Sequence, residues 1–134
     1  MPTNLEVVQK SYAHFTDGDI QGILNLWEQP AVCQPAIGLT ADVLPIYGRR
    51  EGLIALKEYY QLLGETLDFE TFDIRSWKAT DDTVFAIGHY DCINKKTEKR
   101  FGSDFVHVVR VIDGKIVSFK EFADTAAMKE AAKA

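Results

Sequence analysis

The sequence predicts an α+β domain in which helices come first and pack against one face of an antiparallel sheet. Apolar residues recur at helical spacing in the first half of the chain, whereas the stretch from Leu67 to Ala123 repeats strand, turn and strand. The chain has 134 residues, of which 46% are hydrophobic. We therefore expect one domain with its own core, spanning residues 1–134.

Two helices are predicted to open the chain. Thr3 and Glu6 have the spacing of a capping box, and apolar residues at helical intervals follow them as far as Gly18. Asp19 can cap a second, shorter helix, which Pro30 stops.

A third helix is predicted between Gly48 and Gly64, the latter in the usual C-terminal position. Residues 31–38 are expected to form a short strand before it, restricted by Pro35 to an edge or a bulge. The tail from Asp124 onward is expected to be a weak helix or a frayed end.

Four longer strands should form an antiparallel meander. Tight turns are expected between them because pairs of turn-forming or charged residues interrupt the apolar alternation. The strands are expected at 67–77, 83–93, 100–112 and 115–122, with turns at Asp81-Asp82, Lys95-Lys96 and Asp113-Gly114.

The turn types set the expected register of the sheet. Asp113-Gly114 is typical of a two-residue hairpin turn, and continuing its pairing along both strands places Val106 opposite Glu121. The same counting from Lys95-Lys96 places His89 opposite Gly102 and Ile87 opposite Asp104.

Counting from Asp81-Asp82 places Ile74 opposite His89. Because side chains alternate across a strand, these pairings predict the members of a single face. That face comprises Phe72, Ile74, Phe85, Ile87, His89, Asp91, Asp104, Val106, Val108, Val117, Phe119 and Glu121.

Four polar residues on this predicted face are the candidate catalytic groups: Glu121, His89, Asp91 and Asp104. Carboxylates and an imidazole in apolar surroundings suit acid/base chemistry, because desolvation and neighbouring charges separate their pKa values. In the structural alternative these residues lie near strand ends, in water or at a dimer contact. A single bulge would also reverse the predicted face.

Large apolar and aromatic side chains are expected to line a pocket beside these groups. His107 and Asp124 are second-rank candidates, since the predicted register puts His107 on the opposite face and Asp124 has the opposite parity. The expected lining is Tyr12, Phe15, Trp27, Tyr47, Tyr60, Phe72, Phe85, Ile87, Val106 and Phe119.

Composition excludes several classes of partner. Fifteen Lys and Arg against 20 Asp and Glu give a net charge of −5, so we expect neither nucleic acid nor an anionic membrane as a partner. Cys33 and Cys92 are widely separated and suggest neither a disulfide framework nor a zinc site. Without an apolar run of membrane-spanning length or a signal-peptide pattern, a cytoplasmic protein is expected.

The order of elements and three segments resemble the nuclear transport factor 2-like superfamily, and within it the SnoaL-like polyketide-cyclase group. Residues 7–27 resemble the opening helix pair, 46–60 the entrance to the third helix, and 104–125 the closing hairpin. The resemblance implies a cone-shaped, curved antiparallel sheet closed by three helices, the cystatin-like α+β barrel.

Ketosteroid isomerases share this fold but differ at the residues that carry their reaction. Where they have a tyrosine, an aspartate base and an aspartic acid, this sequence has Ser11, Gln34 and either Val106 or Val108. The resemblance therefore argues against steroid isomerisation by that mechanism.

Two other branches resemble the chain more closely. The Arg-x-Asp pair and the last-strand Asp of limonene-1,2-epoxide hydrolases are similar in position to His89, Asp91 and Glu121. The acidic closing strand of polyketide cyclases is similar to Glu121 and Asp124. Histidine can be neutral where arginine cannot, so epoxide hydrolysis is one of several reactions left open.

The leading functional hypothesis is a cofactor-free acid/base enzyme acting on a small apolar molecule by isomerisation, aldol-type cyclisation or addition of water. Glu121 or Asp91 would be the base, with His89 and Asp104 as acid, orienting group or donor. The alternative is a non-catalytic ligand-binding or dimerisation module. A metal site formed by these four residues is a third hypothesis, disfavoured by its single histidine, and no metal or cofactor is expected.

The resemblance also implies a homodimer formed through the sheet. The predicted register leaves His107, Val109 and Val111 on the exposed face, where they would supply an apolar patch.

Overall fold

The computed structural model describes all 134 residues and has the predicted α+β class. Helices of the N-terminal half pack on a curved sheet of six strands that is not closed into a barrel. In chain order the elements are α1 (Asn4–Thr16), α2 (Ile20–Leu24), β1 (Trp27–Gln34), β2 (Arg50–Glu51), α3 (Leu53–Thr66), β3 (Leu67–Thr80), β4 (Thr83–Asn94), β5 (Arg100–Ile112), β6 (Lys115–Ala123) and α4 (Thr125–Ala131).

The predicted caps of the first two helices are confirmed. Thr3 and Glu6 form both hydrogen bonds of the capping box, and the Asp19 side chain accepts a hydrogen bond from the backbone of α2. The end predicted for the third helix is wrong, because α3 continues through Gly64 to Thr66 and leads directly into β3. No helix is both long enough and apolar enough to span a membrane.

The second helix is shorter than predicted, and the first strand begins earlier. The helix ends at Leu24, and from Trp27 the chain is extended and pairs in parallel with β6, so Pro30 lies inside a strand rather than stopping a helix. The strand ends at Gln34, before Pro35. Trp27 therefore belongs to the sheet, next to Ile116.

The sheet has the strand order β2-β1-β6-β5-β4-β3. The last four strands form the antiparallel meander that the sequence predicts, whereas β1 joins it in parallel beside β6. The long strands β3 to β6 thus provide one continuous concave surface for the helices.

A β-bulge in β6 overturns the predicted register of the closing hairpin. Pairing beside the turn is as predicted, but Val117 has no partner in β5. Glu121 consequently lies opposite His107 and not opposite Val106. One extra residue turns the rest of the strand over, so the face predicted for Glu121 relative to β5 is wrong.

The pairing of β4 with β5 differs from prediction by two residues. The connecting loop covers residues 95–99 instead of a two-residue turn, and His89 lies opposite Asp104 rather than Gly102. Because two is the side-chain period of a strand, His89 and Asp104 still share a face.

A third register correction concerns β3 and β4. The strands pair as predicted next to their turn, but a register shift between Ile74 and Ser76 places Ile74 opposite Gly88 and not opposite His89. Ile74 and Phe72 pack against the core as a result.

The two faces of the meander therefore differ from the predicted ones. Alternate residues of β4 and β5 that were assigned to the outside form the concave face, and those assigned to the pocket lie on the outer face. The concave face includes Val84, Ala86, Tyr90, Cys92, Phe105, His107, Val109 and Val111, all buried.

Candidate functional site

A cavity lies between the concave face of the sheet and the helices. The cavity is open to solvent on one side, and 17 of its 21 lining residues are hydrophobic. The few polar side chains include Ser11, His107 and Glu121. A concave, mostly apolar site with a few converging polar groups is typical of small-molecule binding.

Three residues from distant parts of the chain form a hydrogen-bonded row in this cavity. Tyr12 comes from α1, His107 from β5 and Glu121 from β6. Tyr12 Oη lies 2.5 Å from His107 Nδ1, and His107 Nε2 lies 2.7 Å from Glu121 Oε2. The two strand residues are opposite each other because of the bulge in β6.

Glu121 is held from two further sides. The hydroxyl of Tyr90 donates to Oε2 at 3.3 Å, and the backbone N–H of Ala36 donates to Oε1 at 3.1 Å. The backbone N–H of Ile37 also donates to the Glu121 carbonyl oxygen, at 2.9 Å. The carboxylate is therefore fixed in position by strands and by the segment after β1.

One assignment of protons satisfies every group in this row. If Tyr12 donates to Nδ1, a neutral His107 donates from Nε2 to the Glu121 carboxylate. Both ring nitrogens are then occupied. Glu121 Oε1 accepts a single hydrogen bond, from Ala36, so this oxygen has a free lone pair that can take up a proton.

Burial keeps the surrounding phenols protonated. It raises the pKa of Tyr12, Tyr60 and Tyr90, and the negative charge of Glu121 raises each further. These hydroxyls remain hydrogen-bond donors across the physiological pH range. The site thus combines one carboxylate acceptor with several neutral donors.

The structure brings together part of the predicted site. Glu121 lies in the cavity, and second-ranked His107 is its direct partner. Seven of the ten predicted lining residues do line the cavity: Tyr12, Phe15, Trp27, Tyr47, Tyr60, Phe72 and Phe119. The other three, Phe85, Ile87 and Val106, belong to the outer face because of the reversed parity.

The remaining predicted catalytic residues form a separate cluster on the outer face of the sheet. His89 Nε2 lies 3.0 Å from Asp91 Oδ1, and His89 Nδ1 lies 3.0 Å from Asp104 Oδ1. Arg75 approaches Asp104 at 3.7 Å. The Asp104 side chain is 84% exposed, so water surrounds much of this cluster.

The charges of this outer cluster stabilise one another. The hydrogen bond to Asp91 raises the pKa of His89, and that to Asp104 adds to the effect. The Thr71 hydroxyl and then His89 lower the pKa of Asp91.

The prediction that His89, Asp91 and Asp104 share a face of the sheet with Glu121 is therefore wrong. Glu121 points into the cavity, whereas His89, Asp91 and Asp104 lie on the opposite side of the sheet. The four residues cannot together ligate a metal, and the similarity of His89 and Asp91 to epoxide-hydrolase positions does not place them beside a substrate.

Asp124, the other second-rank candidate, has a structural contact. Its side chain accepts a hydrogen bond from the backbone N–H of Ala127 and caps α4. Its own backbone N–H donates to the Ser103 hydroxyl at 2.8 Å.

Tyr90 and the backbone of Ala36 are parts of the site that the sequence analysis missed. The alternation of Val84, Ala86, Tyr90 and Cys92 along β4 was a usable signal for the buried face. The Ala36 contact had no such signal, because it depends on where an irregular segment crosses β6.

The sequence matches a known domain family over most of its length. The family model for the SnoaL-like domain matches residues 8–119. No curated protein matches the sequence.

Several solved structures share the fold. A protein described as NTF2-like from Burkholderia thailandensis E264 is 26% identical, with 100% of both chains covered and a TM-score of 0.87. TerC, co-crystallised with polyporic acid, is 24% identical, with 98% of both chains covered and a TM-score of 0.81. A candidate polyketide cyclase from Xanthomonas campestris pv. campestris is 16% identical, with coverage of 98% of this chain and 100% of that chain and a TM-score of 0.79.

Proposed function

The chain belongs to the SnoaL-like domain family, and from this we propose that its cavity binds a small, largely apolar molecule on which Glu121 acts as a general base without a cofactor. The observation that carries the proposal is the row Tyr12–His107–Glu121, which ends in a carboxylate with spare acceptor capacity inside an apolar cavity.

Glu121 is the group suited to touch the substrate. Both nitrogens of His107 are engaged, so the imidazole would have to give up a hydrogen bond before it could bind anything else. His107 is therefore a positioning residue that holds the Glu121 carboxylate. Together with Tyr12, it can rearrange its hydrogen bonds when that carboxylate becomes neutral on taking up a proton.

The proposed step is removal of a proton from a carbon next to a carbonyl group. The C–H bond breaks, an O–H bond forms on Glu121, and the electron pair moves to the carbonyl oxygen as an enolate. Return of the proton at another carbon gives an isomerisation, whereas attack of the enolate on a second carbonyl in the molecule closes a ring. Both outcomes need the same base.

Two relatives are consistent with this assignment. One structural neighbour is a candidate polyketide cyclase, and another, TerC, was crystallised with an organic acid, polyporic acid. At these identities the likeness supports the fold, and the chemistry proposed for this chain is argued from its own side chains.

Hydrogen exchange at carbon tests the step without knowledge of the natural substrate. In D₂O, the protein should accelerate replacement of the hydrogens next to the carbonyl of 1-tetralone, which NMR detects. Glu121→Gln should lower this rate by about a hundredfold or more, because an amide cannot take up the proton.

Glu28→Gln is the matched control, since Glu28 is exposed on β1 and does not line the cavity. It should exchange the ketone at the wild-type rate. Equal rates for Glu121→Gln and the wild type would contradict the proposal. Binding of the ketone without any exchange would instead support the non-catalytic ligand-binding module.

A further inference from the structure

Two residues that line the cavity each carry a buried hydrogen-bond donor with no partner within the protein. The donors are Trp27 Nε1 and Tyr47 Oη. Both side chains line the cavity, and the residues are only 5% and 4% exposed, respectively. Unpaired buried donors are destabilising and uncommon, so each requires an explanation.

The two donors approach the cavity from different elements. Trp27 is at the start of β1 and pairs with Ile116 of β6. Ile116 is five residues before Glu121 in that strand. Tyr47 belongs to the irregular segment between β1 and β2.

Both groups can serve as donors to a neutral ligand. An indole nitrogen can only donate. Burial raises the pKa of Tyr47, and the charge of Glu121 raises it further, so the phenol keeps its proton within electrostatic reach of the carboxylate.

We propose that Trp27 and Tyr47 bind oxygen acceptors of the ligand, so that the cavity selects an uncharged compound bearing carbonyl groups over a pure hydrocarbon. This inference deepens the proposed function and takes from it the location of the ligand. A donor at the carbonyl oxygen would also stabilise the charge that develops there when Glu121 removes a proton.

NMR can observe the Trp27 donor directly. The chain has two tryptophans, so a ¹⁵N-labelled sample should show two indole N–H signals, and the Trp77→Phe variant identifies the one from Trp27. Addition of 1-tetralone should move the Trp27 signal downfield. Tetralin, the same ring system without the oxygen, should not produce this shift.

Affinities for the same two compounds test both anchors. Trp27→Phe and Tyr47→Phe should each weaken binding of 1-tetralone by about three- to tenfold, which is the range for one hydrogen bond, and should leave tetralin binding unchanged. Glu28→Gln is again the control, because Glu28 is exposed and does not line the cavity, and it should alter neither affinity. Thermal unfolding of each variant checks that it is folded.

Three results would overturn the inference: failure of 1-tetralone to bind at millimolar concentration, binding without the downfield shift, or equal losses of affinity for both compounds. Equal losses of affinity would show that Trp27 and Tyr47 contribute only packing, or that a water molecule accepts their hydrogen bonds. Exchange of 1-tetralone hydrogens without an indole shift would refute the anchors and leave Glu121 as the base. An indole shift without exchange would support the two anchors and refute Glu121 as the base.

Discussion

The His107 side chain is held by hydrogen bonds and by aromatic packing. It is hydrogen-bonded at both nitrogens, its ring stacks on Phe105 with centroids 4.2 Å apart, and Phe119 lies against it at 4.6 Å. Such packing leaves one orientation for the ring. In the proposed reaction, His107 fixes the Glu121 carboxylate, so that the oxygen proposed to take up the proton is already in position.

His89 is the contrasting histidine, and its effect on stability should depend on pH. Its pKa is raised in the folded protein by Asp91 first and Asp104 second, so its stabilising contribution is complete below the unfolded pKa and is lost as pH rises through the folded value. The lowered pKa of Asp91 means that this carboxylate contributes above its own unfolded pKa and loses its effect in acid.

Replacement of His89 by Gln should therefore reduce the free energy of unfolding most between about pH 4 and 6.5, and very little at alkaline pH. Urea unfolding of both proteins at pH 5.5 and pH 9 measures the difference. His14→Gln, at a partly exposed site on α1, is the comparison variant. A His89→Gln deficit that grows toward pH 9 would contradict the assignment.

Among the elements, β3 and β4 leave no room for a side chain at Gly88. A Cβ atom at this position would lie 2.1 Å from the backbone oxygen of Asp73 and 2.8 Å from Phe105. The register shift in β3 occurs at the same level of the sheet. Only a residue without a side chain fits between these strands.

Gly88→Ala should lower the free energy of unfolding by about 2 kcal/mol or more, because a backbone oxygen cannot move aside as a side chain can. Gly64→Ala provides the contrast. Gly64 lies inside α3 with no atom within 4 Å of an added Cβ, so alanine there should stabilise the protein by about 0.5–1 kcal/mol. Denaturant unfolding should separate the two variants in opposite directions, and a neutral Gly88→Ala would show that the strands can separate.

The elements also show what the sequence could and could not predict. Capping residues and turn dipeptides act locally, so Thr3, Asp19 and Asp113 marked their helices and hairpin reliably. The bulge at Val117 has no such mark, because valine is as favourable in a regular strand as in this one. Without knowledge of this bulge, the sequence could not show that Glu121 and His107 lie on the same face of the sheet, although both residues were recognised as candidates.

At the scale of the whole molecule, we propose that two copies associate through the outer face of the sheet. The apolar patch differs from the predicted one, since His107, Val109 and Val111 are buried. The centre of the patch is formed instead by Ile87 and Phe122, which lie on either side of Val106. Ile87 is 38% exposed and Phe122 is 48% exposed.

Charged residues border the apolar patch at both ends. Asp104 and Arg110 lie on the same side of β5, beyond opposite ends of the apolar patch. Within one chain, Asp104 contacts His89 and Arg75, and Arg110 donates to Asp82 at 2.7 Å, so the apolar residues between them carry the proposed self-complementary contact.

The expected species in solution is a dimer of about twice 15.1 kDa, measured by light scattering. Ile87→Lys and Phe122→Lys should each shift the protein toward the monomer, because each buries a charge in the apolar contact. Ile54→Lys is the control, as Ile54 is 82% exposed on α3 and away from the sheet. A wild-type monomer, or a dimer unaffected by both sheet variants, would contradict the proposed surface.

The unpaired valine in the last strand has an evolutionary consequence. Loss of the Val117 codon would turn Glu121 away from the cavity and bring the positions of Lys120 and Phe122 toward it, while the turn and the strand count stayed the same. An alignment anchored on the Asp-Gly turn with a relative that lacks this bulge needs a gap opposite Val117 before inward-facing positions are compared.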